Sequence, residues 1–182
     1  MDEEFGGASN NERLLAAART DNEELMQEVF DQGKYDINFQ DGYAATTHLS
    51  PPPTHGLSGH RLGNTALHYA ASNGSFGVLE LLLGHDGCDV DLQNRIERAT
   101  PLHLALQIDD EDLRKAVVGE LLDAGADTTI RNKSGFTPAD LVPADSELRT
   151  MMRKAQAEAR MDSADVASDD DDDEEGTGSE ED

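Results

Sequence analysis

Gly63-Asn64-Thr65-Ala66-Leu67-His68-Tyr69-Ala70-Ala71 and Ala99-Thr100-Pro101-Leu102-His103-Leu104-Ala105 are two versions of one phrase, with Thr65 and Thr100 in the same role 35 residues apart. Each residue type in it has a physical reason. The Thr turns the chain into a helix, the Pro suits a first helical turn, and the Leu packs inward. The His can hydrogen-bond to polar groups of its own turn and of the neighbouring one. A third version, Gly135-Phe136-Thr137-Pro138-Ala139-Asp140-Leu141, has Thr137 placed 37 residues after Thr100 and an aspartate where the histidine stood. Self-similarity at a period of roughly 33–37 marks stacked structural repeats.

Helical patterning extends outward from these phrases. The spacing predicts a helix over 66–72, a turn at Asn73-Gly74, and a second helix over 76–83 with Val78, Leu79, Leu82 and Leu83 inward. The next unit places Leu102, Leu104, Ala105 and Leu106 on its first helix and Leu113, Val117, Leu121 and Leu122 on its second, with Gly125 at the end. It carries about four residues beyond the period, placed most economically at 108–112, where extra acids widen the inter-helix turn. Upstream, Leu14, Leu15, Ala17 and Ala18, then Leu25, Met26, Val29 and Phe30, read as a degenerate first unit with Leu14 aligned on Leu67. That alignment leaves a surplus of about 20 residues over 41–62, rich in Pro and Gly and without sustained periodicity, which reads as a long loop. Downstream, Pro143 stops a helix early. Asp145 or Ser146 can cap a last one carrying Leu148, Met151, Met152 and Ala155 on one side.

On these residues the chain resembles the ankyrin-repeat family, most specifically at 63–105 and 125–141. The resemblance implies an all-α solenoid of about four helix-turn-helix units, over 11–40, 63–94, 98–132 and 134–160, with degenerate terminal caps. Residues 1–10 are read as a frayed terminus and 162–182 as a disordered acidic tail. In such proteins the concave side, made of turn tips and first helices, commonly binds another protein. By position, the candidate contacts on the turn tips are Phe39, Asp41, Asn94, Arg95, Asn132 and Phe136. The first helices and the widened turn add Tyr69, Asn73, Gln107, Ile108, Asp109 and Asp110, and the insertion adds Tyr43 and Leu57.

Charge narrows the partner. The chain has 39 acidic and 14 basic residues and a net charge of −25. Twelve of the acids and none of the bases fall in 162–182, which leaves −13 for the rest. An acidic body argues against nucleic acid, which needs cations to neutralise phosphate, and favours a basic protein. Ser168 and Ser179 each have an acid three residues on and are candidate phosphorylation sites, where added phosphate would tune an already large charge.

Catalytic and cofactor chemistry finds little support. The lone Cys88 allows neither an intrachain disulfide nor a cysteine metal cluster, and His48, His55 and His60 have no compact ligand spacing. His68 and His103 belong to the structural phrase. No catalytic residue, metal or cofactor is assigned, and no apolar run suits a secretory signal or a membrane span. The expected protein is a monomer of the cytoplasm and also the nucleus. An acidic array with an acidic tail resembles small fungal-type ankyrin chaperones that shield newly made ribosomal proteins or translation factors. An adaptor or inhibitor subunit in signalling or transcription is the alternative.

Overall fold

A computed structural model of the protein describes residues 8–42 and 63–164, with side chains through Met161. Seven α-helices occur among the described residues: α1 (Asn10–Thr20), α2 (Glu23–Gln32), α3 (Ala66–Asn73), α4 (Phe76–Leu83), α5 (Pro101–Ala105), α6 (Glu111–Asp123) and α7 (Glu147–Ala164). A 3-10 turn covers Pro138–Leu141, and no strand is present among these residues. The helices pair as α1 with α2, α3 with α4 and α5 with α6; the first helices α1, α3 and α5 stack on one another, and α2, α4, α6 and α7 form the second layer. This is an ankyrin-type solenoid.

The starts of the helices follow from side-chain caps. Ser9 accepts from the Glu12 amide while the Glu12 carboxylate accepts from the Ser9 amide, so α1 begins one residue earlier than the sequence pattern suggests. Asn22 caps α2 through the Leu25 amide at 2.9 Å, and Asp110 caps α6 through the Leu113 amide at 2.9 Å. At the C-terminal end of α6, the amides of Gly125 and Ala126 bond to the carbonyls of Leu122 and Leu121, a Schellman closure that needs the positive φ of Gly125. Gly74 combines both demands on glycine. Its φ is 69°, and a Cβ there would lie 2.5 Å from Leu113 Cδ2.

Packing repeats with the sequence. Leu14, Leu67 and Leu102 hold equivalent places in the first-helix layer, and Val29, Leu82 and Leu121 in the second; all six are 1 % exposed or less. Ala17, Ala18, Ala70, Ala71 and Ala105 are also buried in the first layer, where short side chains let neighbouring helices approach closely. Each buried Leu contributes about 1.5–3 kcal/mol. No pair of helices covers its own apolar face alone, so neighbouring repeats share one core.

The acidic turns are partly structural. Asp36, Asp89 and Asp127 each fold their own turn by accepting from the amide two residues on, at 3.0, 2.9 and 2.7 Å. The same turns are tied along the array: Asn38 accepts from the Asp89 amide and Asp91 from the Asp127 amide, both at 2.9 Å. Between α2 and the second repeat, Tyr35 donates to His85 Nε2 at 2.7 Å, and His85 Nδ1 lies 2.7 Å from the Asp86 carbonyl. With Phe30 these rings form an aromatic cluster that helical periodicity does not signal, because two of them sit outside helices.

The link between α5 and α6 departs from its sequence expectation. The extra residues between α5 and α6 are not simply an exposed acidic turn. Ile108 is 7 % exposed and joins the core, because α5 is only five residues long and leaves apolar space that the following link fills. The last helix runs on to Ala164, past the start at 162 expected for the tail; residues 43–62 of the insertion and 165–182 of the tail, with Tyr43, Leu57, Ser168 and Ser179, lie outside the described residues.

Candidate protein-binding site

The site is built from three projecting turns and the first-helix face beside them. Each turn closes on itself below its tip. The Asn94 amide donates to the Ala99 carbonyl at 2.8 Å, and the Asn132 amide to the Phe136 carbonyl at 2.9 Å. Asp41 and Asn64 form the equivalent pair, with the Asp41 amide on the Asn64 carbonyl at 2.8 Å and the Asn64 amide on Asp41 Oδ1 at 2.8 Å. The insertion therefore leaves and rejoins the array within one closed stem.

Arg95 braces that stem. Its Nε donates to Gln40 Oε1 at 3.0 Å, and its side chain crosses Gly42 and Gly63 so closely that a Cβ on Gly63 would stand 2.4 Å from Arg95 Cγ. Gly63 also has φ +73°, which favours glycine by itself. Beside the stem, the Tyr69 hydroxyl donates to Asp41 Oδ2, Arg19 Nη2 reaches the same oxygen at 3.3 Å, and the Arg19 guanidinium lies 4.0 Å from the Tyr69 ring centre. Burial and then the Asp41 contact raise the Tyr69 pKa, so the phenol keeps the proton it donates. Asn73 links this group to α1 by donating to the Arg19 carbonyl at 3.2 Å.

Two apolar side chains stand out at the neighbouring tips. Ile96 is 50 % and Phe136 49 % exposed, on turns joined by the Lys133 amide donating to the Glu97 carbonyl at 2.7 Å. No repeat pattern singles out Ile96, since an apolar residue at a turn tip belongs to no helical face. Gln107, Asp109 and Asp110 are exposed as well, with Asp110 engaged as the α6 cap.

Other sequence candidates serve the scaffold. Asn94 is 1 % exposed and is a correction to its reading as a contact: its Oδ1 accepts from the Glu97 and Ala99 amides, and its Nδ2 donates to Asn64 Oδ1 at 3.0 Å. Ile108 is buried, as described. Asn132 shapes its own turn by accepting from the Ser134 and Phe136 amides, Phe39 packs against the core, and Asp41 is 8 % exposed within the stem. A turn-tip polar residue can face outward or fold the turn, and position in the repeat does not separate the two.

His68 and His103 are tied on both ring nitrogens. Nδ1 of His68 accepts from the Thr65 amide at 3.2 Å, and Nε2 donates to the Ala99 carbonyl of the next repeat at 3.0 Å. His103 repeats this with Thr100 and the Phe136 carbonyl. Burial lowers the His68 pKa to about 4 against the opposing pull of the Ala99 carbonyl, and it lowers that of His103 as well. A neutral imidazole with neither nitrogen free is a strut between repeats. In the last repeat Asp140 keeps only the local half, accepting from the Thr137 amide and hydroxyl at 2.9 and 2.8 Å. Cys88 is half-buried, its thiol pushed up to about 11 by burial, which keeps it unreactive. Among the described residues no group of three His, Cys, Asp or Glu could hold a metal, and no helix is long and apolar enough to cross a membrane.

Stacked helical hairpins with projecting tips define a repeat solenoid whose business is contact with other proteins. A family model for ankyrin repeats matches residues 7–132 in three copies, and the chain belongs to the ankyrin-repeat family. Members of this family are generally non-catalytic interaction modules. An ankyrin repeat-containing protein of Saccharomyces cerevisiae is 35% identical over 167 residues, 90% of this chain and 86% of that one. Shorter matches include a zinc finger CCCH domain-containing protein of Oryza sativa, 42% identical over 43% of this chain, and human ankyrin repeat and SOCS box protein 6, 40% identical over 40%. Those two alignments span only 12% and 16% of the larger proteins.

Proposed function

We propose that this protein is a non-catalytic escort for a basic, newly made client such as a ribosomal protein or a GTP-binding translation elongation factor, acting as a monomer in the cytoplasm and also the nucleus. The observation that carries the reading is the excess of 39 acidic over 14 basic residues in a chain whose array offers half-exposed Ile96 and Phe136 at adjacent tips. Opposite charge steers a basic client into encounter, and apolar side chains at the centre of a contact slow its release. Removing residues 162–182 should weaken client capture about tenfold at roughly 50 mM salt and little at roughly 0.5 M. Affinity purification with and without a translation block tests the escort role. A basic client that co-purifies only while translation runs supports it; a stoichiometric partner that persists after the block marks an adaptor instead.

A further inference from the structure

The carboxyl-terminal end of the array, from the last turn onward, runs against the charge of the chain. Residues 131–160 contain six Lys or Arg and four Asp or Glu, in a protein of net charge −25. Three of those arginines line one cleft of about 320 Å³ between the last turns and α7. Arg131 comes from the turn, Arg149 and Arg153 lie one helical turn apart on α7, and Thr128, Thr129, Thr137 and Gln156 are the other polar residues of the wall. None of the three forms an ion pair among the described residues. Arg131 Nη1 donates to the Gly135 carbonyl at 2.7 Å and Arg149 Nη1 to the Val142 carbonyl at 3.4 Å, both neutral acceptors. Asp140 is near enough to feel Arg131 and Arg149, but its Oδ2 is taken by the amide and hydroxyl of Thr137. The cleft presents guanidinium groups with donors to spare.

We infer that this cleft is the docking site for the chain's own acidic segment 169–175. That segment is seven consecutive Asp or Glu residues, and four residues separate it from the end of α7. Reach decides whether it fits. Arg153 lies 11 residues before Ala164, about 16 Å along the helix. Five residues from Ala164 to Asp169 extend up to about 17 Å, so the first acids can turn back to Arg153 and the next ones to Arg149. A tethered segment meets its site at an effective concentration in the millimolar range, which makes even weak ion pairing count. Arg-carboxylate pairs can be bidentate, and exposed ones are screened by salt. The contact needs only this chain and stands apart from the escort reading. If both hold, a basic client competes with the cleft for the same acids.

The test is paramagnetic broadening in the full chain. A spin label at Thr177→Cys, in a Cys88→Ala background, should reduce the amide signals of Thr129, Arg149 and Arg153 several-fold at about 50 mM salt, and this loss should vanish at about 0.5 M. Arg149→Gln with Arg153→Gln should abolish it, and so should Asn in place of Asp169–173 in a chain whose helices are untouched. Absence of localised broadening, or broadening unchanged in either variant, overturns the inference. Mixing labelled chain with isotope-enriched unlabelled chain identifies the source: broadening carried between molecules means that a second copy fills the cleft, and the intramolecular proposal fails.

Discussion

Leu67→Ala is expected to lower the unfolding free energy by about 3 kcal/mol, within the usual range for a fully buried leucine. Leu67 is 1 % exposed on α3, which packs against α1, α4 and α5. Its truncation therefore opens a cavity at the junction of three repeats, and none of them can close it without moving the others. With a urea slope of about 2 kcal/mol/M, the midpoint should fall by about 1.5 M. Because repeats are stabilised chiefly by their neighbours, the first and third units should lose protection together with the second. Urea titration followed by circular dichroism, with amide exchange to locate the loss, checks both. A midpoint shift below about 0.5 M would show that the site repacks freely.

His68→Ala is expected to cost about 3 kcal/mol at pH 7.5 and far less at pH 4.5. The sign follows from the lowered pKa. Above about 6.5 the imidazole is neutral in both folded and unfolded chains, and its contribution is fully present. As pH falls through 6.5 toward the folded value of about 4, the unfolded state takes up a proton that the buried ring refuses, and stability is lost. That interval is worth about 3 kcal/mol. The alanine variant forgoes the bonds to Thr65 and Ala99 at high pH but has no such acid sensitivity. Carboxylate titration affects both proteins and cancels in their difference. Equal penalties at pH 7.5 and 4.5 would refute a neutral, buried His68.

Sequence periodicity located the helices because their signals are redundant. In α4 the cap glycine, the apolar spacing and the repeat offset agree, and the expected bounds match Phe76–Leu83. The candidate site was less legible. Asn94 and Asn132 occupy tip positions that suit outward contact, yet their side chains satisfy backbone amides, a choice fixed by turn geometry that spacing does not encode. Ile108 turned inward because α5 is short, which the length of the repeat alone could not foretell. Arg131 and Arg149 are 18 residues apart and meet only through the packing of α7 on the preceding turn. Ile96 carried no periodic signal.

The mutual amide bonds of Asp41 and Asn64 give the first tip a further property. The stem is latched beneath the insertion by the same kind of pairing that closes the short tips at Asn94–Ala99 and Asn132–Phe136. The register of the stacked helices is thereby held by bonds between Asp41 and Asn64 themselves. The first tip is a socket. A peptide of different length or composition could be spliced above Gly42 and Gly63 while the array below keeps its bonds, so new recognition can be acquired there without renegotiating the fold.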